Sequence, residues 1–415
     1  LRRRVYIATH DITPIKKQLK KRYLLIATLG YLSITSVFMN RNKRGFQGLS
    51  LIRSNLNPTK PQVISIVAIT RNGIRLARNI KSKWPEAKVY VPSKHFDSSA
   101  DIQWFDEPTS QVMENLFKAS GALVCIFSLG AVIRLVAPHV TNKKYDPAVI
   151  VIDDKANFVI SALSGHLGGA NSLAAELSSF LEGSTAVITT AADVNQTIAV
   201  DILGRELGWV IDNYDRVTQV SACMVNEEPI GVYQDTGEKN WWVKKELPKN
   251  VKSVIELSDL KSAQLHAGLI ITDRILRDNE ISSKSVIYRP KSLVVGIGIH
   301  RNTKEETIES AINQVFGENY LSTKSIRNLA TIDNKGQAKG LLDFSAKYKI
   351  PVETYSNELL SRIHVPNPSK VVGQFEGTTS VSEAASLLSS KGKLVIPKIK
   401  FPPDLTLSIA RVGYA

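Results

Sequence analysis

From Gln62 onward, short apolar runs alternate with amphipathic helical stretches, and that alternation confines the chain to helices packed on mostly parallel sheets. ISIVAIT (Ile64–Thr70), KVYVP (Lys88–Pro92), GALVCIF (Gly121–Phe127), AVIVID (Ala148–Asp153), NFVISAL (Asn157–Leu163) and TAVITT (Thr185–Thr190) read as strands. Ile74–Lys83, Ser110–Ala119, a short stretch carrying Arg134, and Asn195–Leu207 read as helices, the first with Ile74, Ala77 and Ile80 on one side. The fold class is therefore α/β: a three-layer, mostly parallel-sheet N-terminal core domain over 62–212, a small middle α/β module and linker over 213–290, and a C-terminal α/β domain over 291–415. In the middle module Ile230–Asp235, Ser253–Leu257 and Ala267–Asp273 read as strands. KSVIYRP, ending at Pro290, reads as a hinge, and Trp241 and Trp242 as core or interface.

In open parallel sheets, ligands bind beyond the carboxyl ends of the strands, where loops and helix N-termini converge. Those ends place Thr70–Gly73, Ser93–His95, Ser128–Gly130, Asp153 with Asp154, Ser164–Gly169 and Thr189–Asp193 on one expected edge.

The most chemical stretch on it is SGHLGGAN (Ser164–Asn171), a glycine-rich turn between a strand and a helix marked by Ala170, Leu173, Ala174, Leu177 and Leu181. Gly165, Gly168 and Gly169 allow backbone conformations closed to other residues, and free amides at a helix start attract anions. His166 stands in the turn as a general base or acid, its ordinary pKa being about 6.5, with Asp153 or Asp193 to orient it. The same residues also read as a close-packed turn with a solvated histidine.

The last module opens with SLVVGIGIH (Ser292–His300), followed by an expected capping box of Thr303 and Glu306 and a helix face of Ile308, Ala311, Ile312, Val315 and Phe316. Gly296 and Gly298 make half of a dinucleotide fingerprint, but the third glycine is missing, which speaks against NAD. Ser380 and Glu383 form a second expected capping box. Arg301, Thr378, Lys398 and Arg411 make a second edge suited to anions.

The net charge of +15 sits mainly at the front: residues 1–60 hold thirteen Lys or Arg and one acidic residue, Asp11. The nearly neutral remainder excludes a nucleic-acid-binding body, which would carry its own basic face. Uncharged residues 23–40 lie between basic clusters, and three readings stay open for this segment: a marginal membrane anchor, a signal-like segment, or sequence translated upstream of the true start. It is set aside from the core fold, and no membrane partner is expected. Cys125 and Cys223, the only cysteines, are far apart, which points to a reducing, cytoplasmic setting and offers no zinc-site spacing. HExxH, Walker and GxSxG motifs are absent, so no metal site, P-loop or nucleophile elbow is expected.

SGHLGGAN, preceded by DPAVIVIDDKANFVIS and followed by AVITTAADV and AVDIL, resembles the CbiG family of cobalamin biosynthesis, the cobalt-precorrin 5A hydrolases. VPSKHF and SLGAVIRLVAP are similar to the front of that family's core. VVGIGIHRNT, NLATIDNKGQAKGL, EGTTSVSEAASLL and LVIPKIK are similar to its C-terminal module, shared with CobE proteins. His300 stands where members commonly carry Cys, and the basic front segment has no counterpart.

The resemblance implies a hydrolase that opens the ring A lactone of a cobalt-bearing macrocycle and releases acetaldehyde, or else a non-catalytic carrier of the same intermediates. It implies cobalt as part of the substrate with no separate cofactor, other corrin-pathway enzymes as candidate partners, and leaves a homodimer open. Placed on this chain, His166, Asp153 and Asp193 are the expected catalytic residues. Ser164, Gly165, Gly168, Gly169, Asn171, Lys94, His95, Gly130, Arg134, Arg301, Thr378 and Lys398 are the expected substrate contacts, with the Gly168 and Gly169 amides as oxyanion donors.

Overall fold

A computed structural model describes residues 63–414 apart from 144, 243–245 and 369–379. The basic front segment and Thr378 therefore lie outside the described residues. The first sheet comprises β1 (Ile64–Ala68), β2 (Lys88–Pro92), β3 (Ile102–Phe105), β4 (Ala122–Ile126), β5 (Ala148–Ile152), β6 (Phe158–Leu163) and β7 (Thr185–Val187), in the order β3-β2-β1-β4-β5-β6-β7. Every residue of β4 and β5 is buried, as expected for continuous apolar strands covered on both faces. The covering helices are α1 (Arg71–Lys83), α2 (Thr109–Ala119), α3 (Leu129–Val136) and α4 (Ala170–Phe180), followed by the single turn α5 (Ala191–Val194).

One pairing overturns the expected common edge. β1 to β5 are parallel, but β6 runs antiparallel to β5, with Val149 opposite Leu163 and Ile152 opposite Val159, and β7 follows β6 in parallel. The cause lies in the connection: only residues 153–157 separate the two strands, enough for a hairpin, whereas a parallel crossover takes a dozen residues or more. Asp153 closes this hairpin, accepting from the Phe158 amide at 2.7 Å, and Ala156 takes a left-handed φ of 56°. SGHLGGAN consequently emerges at the amino end of β1–β5, about 13 Å of strand away from the loops that follow β1, β2 and β4.

The second sheet, β8 (Val210–Ile211), β9 (Ile230–Gln234), β10 (Val251–Val254), β11 (Ala267–Ile271) and β12 (Ser285–Arg289), has the order β10-β9-β11-β12-β8 with only β8 antiparallel. Together with α6 (Val217–Val225) it encloses a core containing Ile198, Val200, Leu203 and Trp209. Residues 198–212 thus pack with the middle module rather than the first. The helix expected over 195–207 does not form. Its apolar residues enter this core as an irregular run, Tyr288 Oη donates to the Val200 carbonyl at 2.8 Å, and Gly204 takes a φ of 71° before a single 3-10 turn. KSVIYRP is no hinge but the buried strand β12, because its side chains are central to the sheet.

The third sheet contains β13 (Leu293–Ile299), β14 (Ile326–Ile332), β15 (Val352–Tyr355), β16 (Lys393–Phe401) and β17 (Leu405–Arg411), in the order β15-β14-β13-β17-β16. Its helices are α7 (Glu305–Glu318), α8 (Lys339–Tyr348), α9 (Asn357–Ser361) and α10 (Val381–Ser390). Gly296 serves packing rather than a nucleotide: a Cβ there would stand 1.9 Å from the Ser382 carbonyl of α10. Neither expected capping box forms. Thr303 Oγ1 accepts from the His300 amide and donates to the Asp404 carbonyl, while buried Glu383 accepts from the side chain of Asn367 and the amide of Lys398. The middle and last modules are joined at Asp273, which is fully buried and receives Arg411 through two hydrogen bonds of 2.8 Å and Ser292 Oγ through a third.

Candidate active site

SGHLGGAN folds into a tight bend because two of its residues adopt left-handed backbone, Ser164 at φ 58° and Gly169 at φ 86°. Gly165 lies against the Asn171 and Thr190 side chains, and Gly168 lies under Ser164, so neither position has room for a Cβ. The bend spends amides on itself: Gly169 donates to the His166 carbonyl, Ala170 to Ser164 and Asn171 to Gly165. The Gly169 amide is therefore not available as the oxyanion donor expected of it. Ser164 turns its hydroxyl to the Asp146 carbonyl, and Asn171 ties β6 to the segment that follows β7, accepting from Ser161 Oγ at 2.6 Å and donating to Thr190 Oγ1 at 2.9 Å.

His166 lies between two carboxylates. Nε2 is 2.8 Å from Asp193 Oδ2, and Nδ1 is 3.1 Å from Asp201 Oδ1. A neutral imidazole has one N–H, so meeting a carboxylate at each nitrogen requires the imidazolium. Burial opposes that charge, but the hydrogen bonds and negative charges of Asp201 and Asp193 outweigh it and raise the pKa above the ordinary histidine value. The same Asp193 oxygen accepts from Asn171 Nδ2 at 2.6 Å. Arg205 clamps the bend from the middle module through the His166 and Leu167 carbonyls, at 3.3 and 3.0 Å. Asp193 is the open end of the array, its side chain 44% exposed against 11% for His166 and 16% for Asp201.

The other expected contacts are elsewhere. Asp153 cannot orient His166, because it closes the β5–β6 hairpin at the opposite edge of the sheet. That edge also carries Lys94, His95, Gly130 and Arg134: His95 Nε2 is 3.2 Å from the Ile69 carbonyl, Arg134 donates to the carbonyl of Gly130 at 2.9 Å, and Lys94 is exposed. Asp154 there takes the Thr70 hydroxyl and the Asn72 amide. In the last module Arg301 is exposed after β13, Lys398 reaches the Asn367 carbonyl, and Arg411 is committed to Asp273. The expected single edge is thus two separate edges of one sheet. Sequence reading also missed Asp201 and Arg205, although an acidic residue inside the apolar run AVDIL was a usable signal of a buried carboxylate awaiting a cation.

Among the described residues, no helix is long and apolar enough to cross a membrane, and no group of three or more His, Cys, Asp and Glu is arranged to hold a metal ion.

Three sheet-based modules in series, with an imidazolium array where the first meets the second, define a three-module α/β protein equipped for acid–base chemistry. Family models match the modules in order: Cobalamin synthesis G N-terminal over 111–193, Cobalamin biosynthesis central region over 198–290 and Cobalamin synthesis G C-terminus over 293–410. The chain belongs to this CbiG family. A cobalt-precorrin-5A hydrolase from Priestia megaterium is 40% identical over 356 residues, 84% of this chain and 95% of that protein. A second, from Salmonella typhimurium, is 29% identical over 82% of this chain and 95% of its own length. A solved cobalamin biosynthesis protein G homolog from Sulfolobus solfataricus aligns over 87% of this chain and all of its own at 21% identity, with a TM-score of 0.35.

Proposed function

We propose that this chain is a cobalt-precorrin-5A hydrolase. The observation that carries the reading is the 40% identity, over 84% of this chain and 95% of the other, to a relative of that name. The finer chemistry we propose is opening of the ring A lactone by water, followed by carbon–carbon cleavage that releases acetaldehyde. One water is consumed, a carboxylic acid and an aldehyde are formed, and the electron pair of the broken bond passes into the conjugated macrocycle, so no oxidant is required. The cobalt is part of the substrate, and the chain's own residues supply proton transfer.

In this reading Asp193, the solvent-facing end of the array, takes a proton from the attacking water, and the His166 imidazolium gives one to the lactone oxygen as it leaves. Asp201 and Asn171 hold the two groups in place. The closeness of a carboxylate and an acidic N–H, 2.8 Å apart, supports this division of labour.

The test is anaerobic supply of cobalt-precorrin 5A to the purified protein with acetaldehyde as readout. Release by wild type and its loss in both His166→Ala and Asp193→Asn is the expected result. Undiminished release in either variant removes that residue from the chemistry, and no release by folded wild type favours a carrier.

A further inference from the structure

The edge of the first sheet opposite His166 carries a cleft that the proposed chemistry does not use. It lies at the carboxyl ends of β1 and β2, next to the point where strand order reverses between β1 and β4, the usual ligand position in doubly wound sheets. The cleft encloses about 550 Å³ and is lined by Arg71, Asn72, Arg75 and Arg78 of α1 and by Lys94, His95, Phe96 and Asp97 after β2.

Three arginines at i, i+4 and i+7 share one helix face, and like charges at that spacing weaken a helix. The neighbours offset this only in part. Arg75 bonds to Asn72, and Arg78 bonds to Asp97 and Ser99. Asp97 is the one carboxylate in the lining, and among the described residues Arg71 and Lys94 have no carboxylate partner. The face therefore presents a net positive charge. Beside it the same edge exposes the large apolar side chains of Phe96, Leu129, Ile133 and Phe158. They stand after β2, on α3 after β4, and at the start of β6, so apolar side chains flank the cations over four strand spacings, about 19 Å, with Asp153 and Asp154 after β5 as the neighbouring carboxylates. A broad ring with apolar faces and a carboxylate rim meets both requirements, whereas a small anion meets only the first.

We propose that this cleft is a second tetrapyrrole-docking site, which holds the carboxylate rim of a macrocycle through Arg71, Arg75, Arg78 and Lys94 while apolar side chains along the edge cover a ring face. The choice of a tetrapyrrole rests on the hydrolase reading. The site lies at the opposite ends of the strands from His166, with the body of the sheet between them, so one ring does not occupy both and the cleft would hold a macrocycle arriving at or leaving the reacting array.

The experiment uses the full chain and uroporphyrin, whose periphery carries only carboxylate side chains, with binding followed by fluorescence. The expected outcome is saturable binding that weakens about tenfold for each cation lost in Arg71→Ser and Lys94→Ser, both exposed positions where folding should persist. It should also weaken in Phe96→Ser and be unaffected by Asp193→Asn. Binding that survives Arg71→Ser/Lys94→Ser, or that Asp193→Asn abolishes, overturns the proposal. Displacement by citrate or inorganic phosphate at concentrations equal to the porphyrin also overturns it, by showing a general anion site. Acetaldehyde release by the same preparation decides the hydrolase reading separately, because it can be retained while docking is absent, or absent while docking is retained.

Discussion

His166 of the first module and Asp201 of the second share a hydrogen bond of 3.1 Å, so the protonation of one imidazole is tied to the junction between two independently cored modules. Asp201 arrives on the irregular run whose Ile198 and Val200 anchor the middle core. The bond therefore depends on how the two modules dock.

Replacing Asp201 with Asn should lower the His166 pKa, since it removes the negative charge and leaves only a weaker, neutral amide oxygen as acceptor to hold the imidazolium against burial. A histidine whose folded pKa is raised contributes stability that is complete below its unfolded value of about 6.5 and is lost as pH rises through the folded value. Wild type should thus lose more stability than Asp201→Asn as pH rises above about 6.5 in chemical denaturation. Histidine-resolved NMR titration should show the downward shift directly, and an unmoved His166 resonance would refute the assignment.

The sequence places Arg411 toward an anionic ligand, but the fold commits it to Asp273, which has no exposure of its own. Arg411→Ala leaves that buried carboxylate with Ser292 alone, and because the Arg411 side chain is itself 35% exposed and water can enter where it stood, the cost should be roughly 1–3 kcal/mol. Arg411→Ala/Asp273→Asn should recover a substantial part of the loss, because the uncompensated charge is gone. Equilibrium unfolding of the single and double variants measures both.

Much of the architecture was legible because apolar period and length are local properties. β1, β2, β4 and β5 fall where continuous apolar runs predict them, and the α7 face of Ile308, Ala311, Ile312, Val315 and Phe316 is buried throughout. Strand direction is not local. NFVISAL has the same composition in either direction, and the five-residue connection before it was the available clue. Misreading it put Asp153, Lys94 and His95 beside His166, when the hairpin puts a whole strand length between them. Asp193 was legible because β7 returns parallel to β6 and delivers it to the bend. Asp201 was not, because its place depends on apolar neighbours entering another module's core.

Gly168→Ala tests whether the bend's shape matters apart from its charges. The added Cβ would sit 2.3 Å from Ser164 Cβ and 2.7 Å from the Ser164 carbonyl, too close for rotamer adjustment to relieve. Overpacking of this kind costs roughly 1–3 kcal/mol, so the melting temperature should fall measurably. Because Ser164 and Ala170 are bonded across the bend, displacement there should also move His166, and the His166 pKa should change in the same variant.

Glu176 offers a stability change outside both edges. It lies on α4, where burial pushes its carboxyl up to about 7, well above the ordinary glutamate value. An acid with a raised folded pKa destabilises the fold increasingly as pH rises above its unfolded value, since the native state must either hold an extra proton or carry a poorly solvated charge. Glu176→Gln removes that burden while keeping size and hydrogen-bonding capacity. The variant should match wild type near about pH 4, where both side chains are uncharged in the fold. At about pH 8 it should gain roughly 1–2 kcal/mol: a tenfold change in proton affinity is worth about 1.4 kcal/mol, and the water that still reaches this half-buried carboxyl screens part of the full effect. Urea denaturation at the two pH values decides it. A gain of equal size at both would assign the effect to helix propensity or packing, and a loss at the higher pH would mean that the ionised carboxylate has a cationic partner in solution.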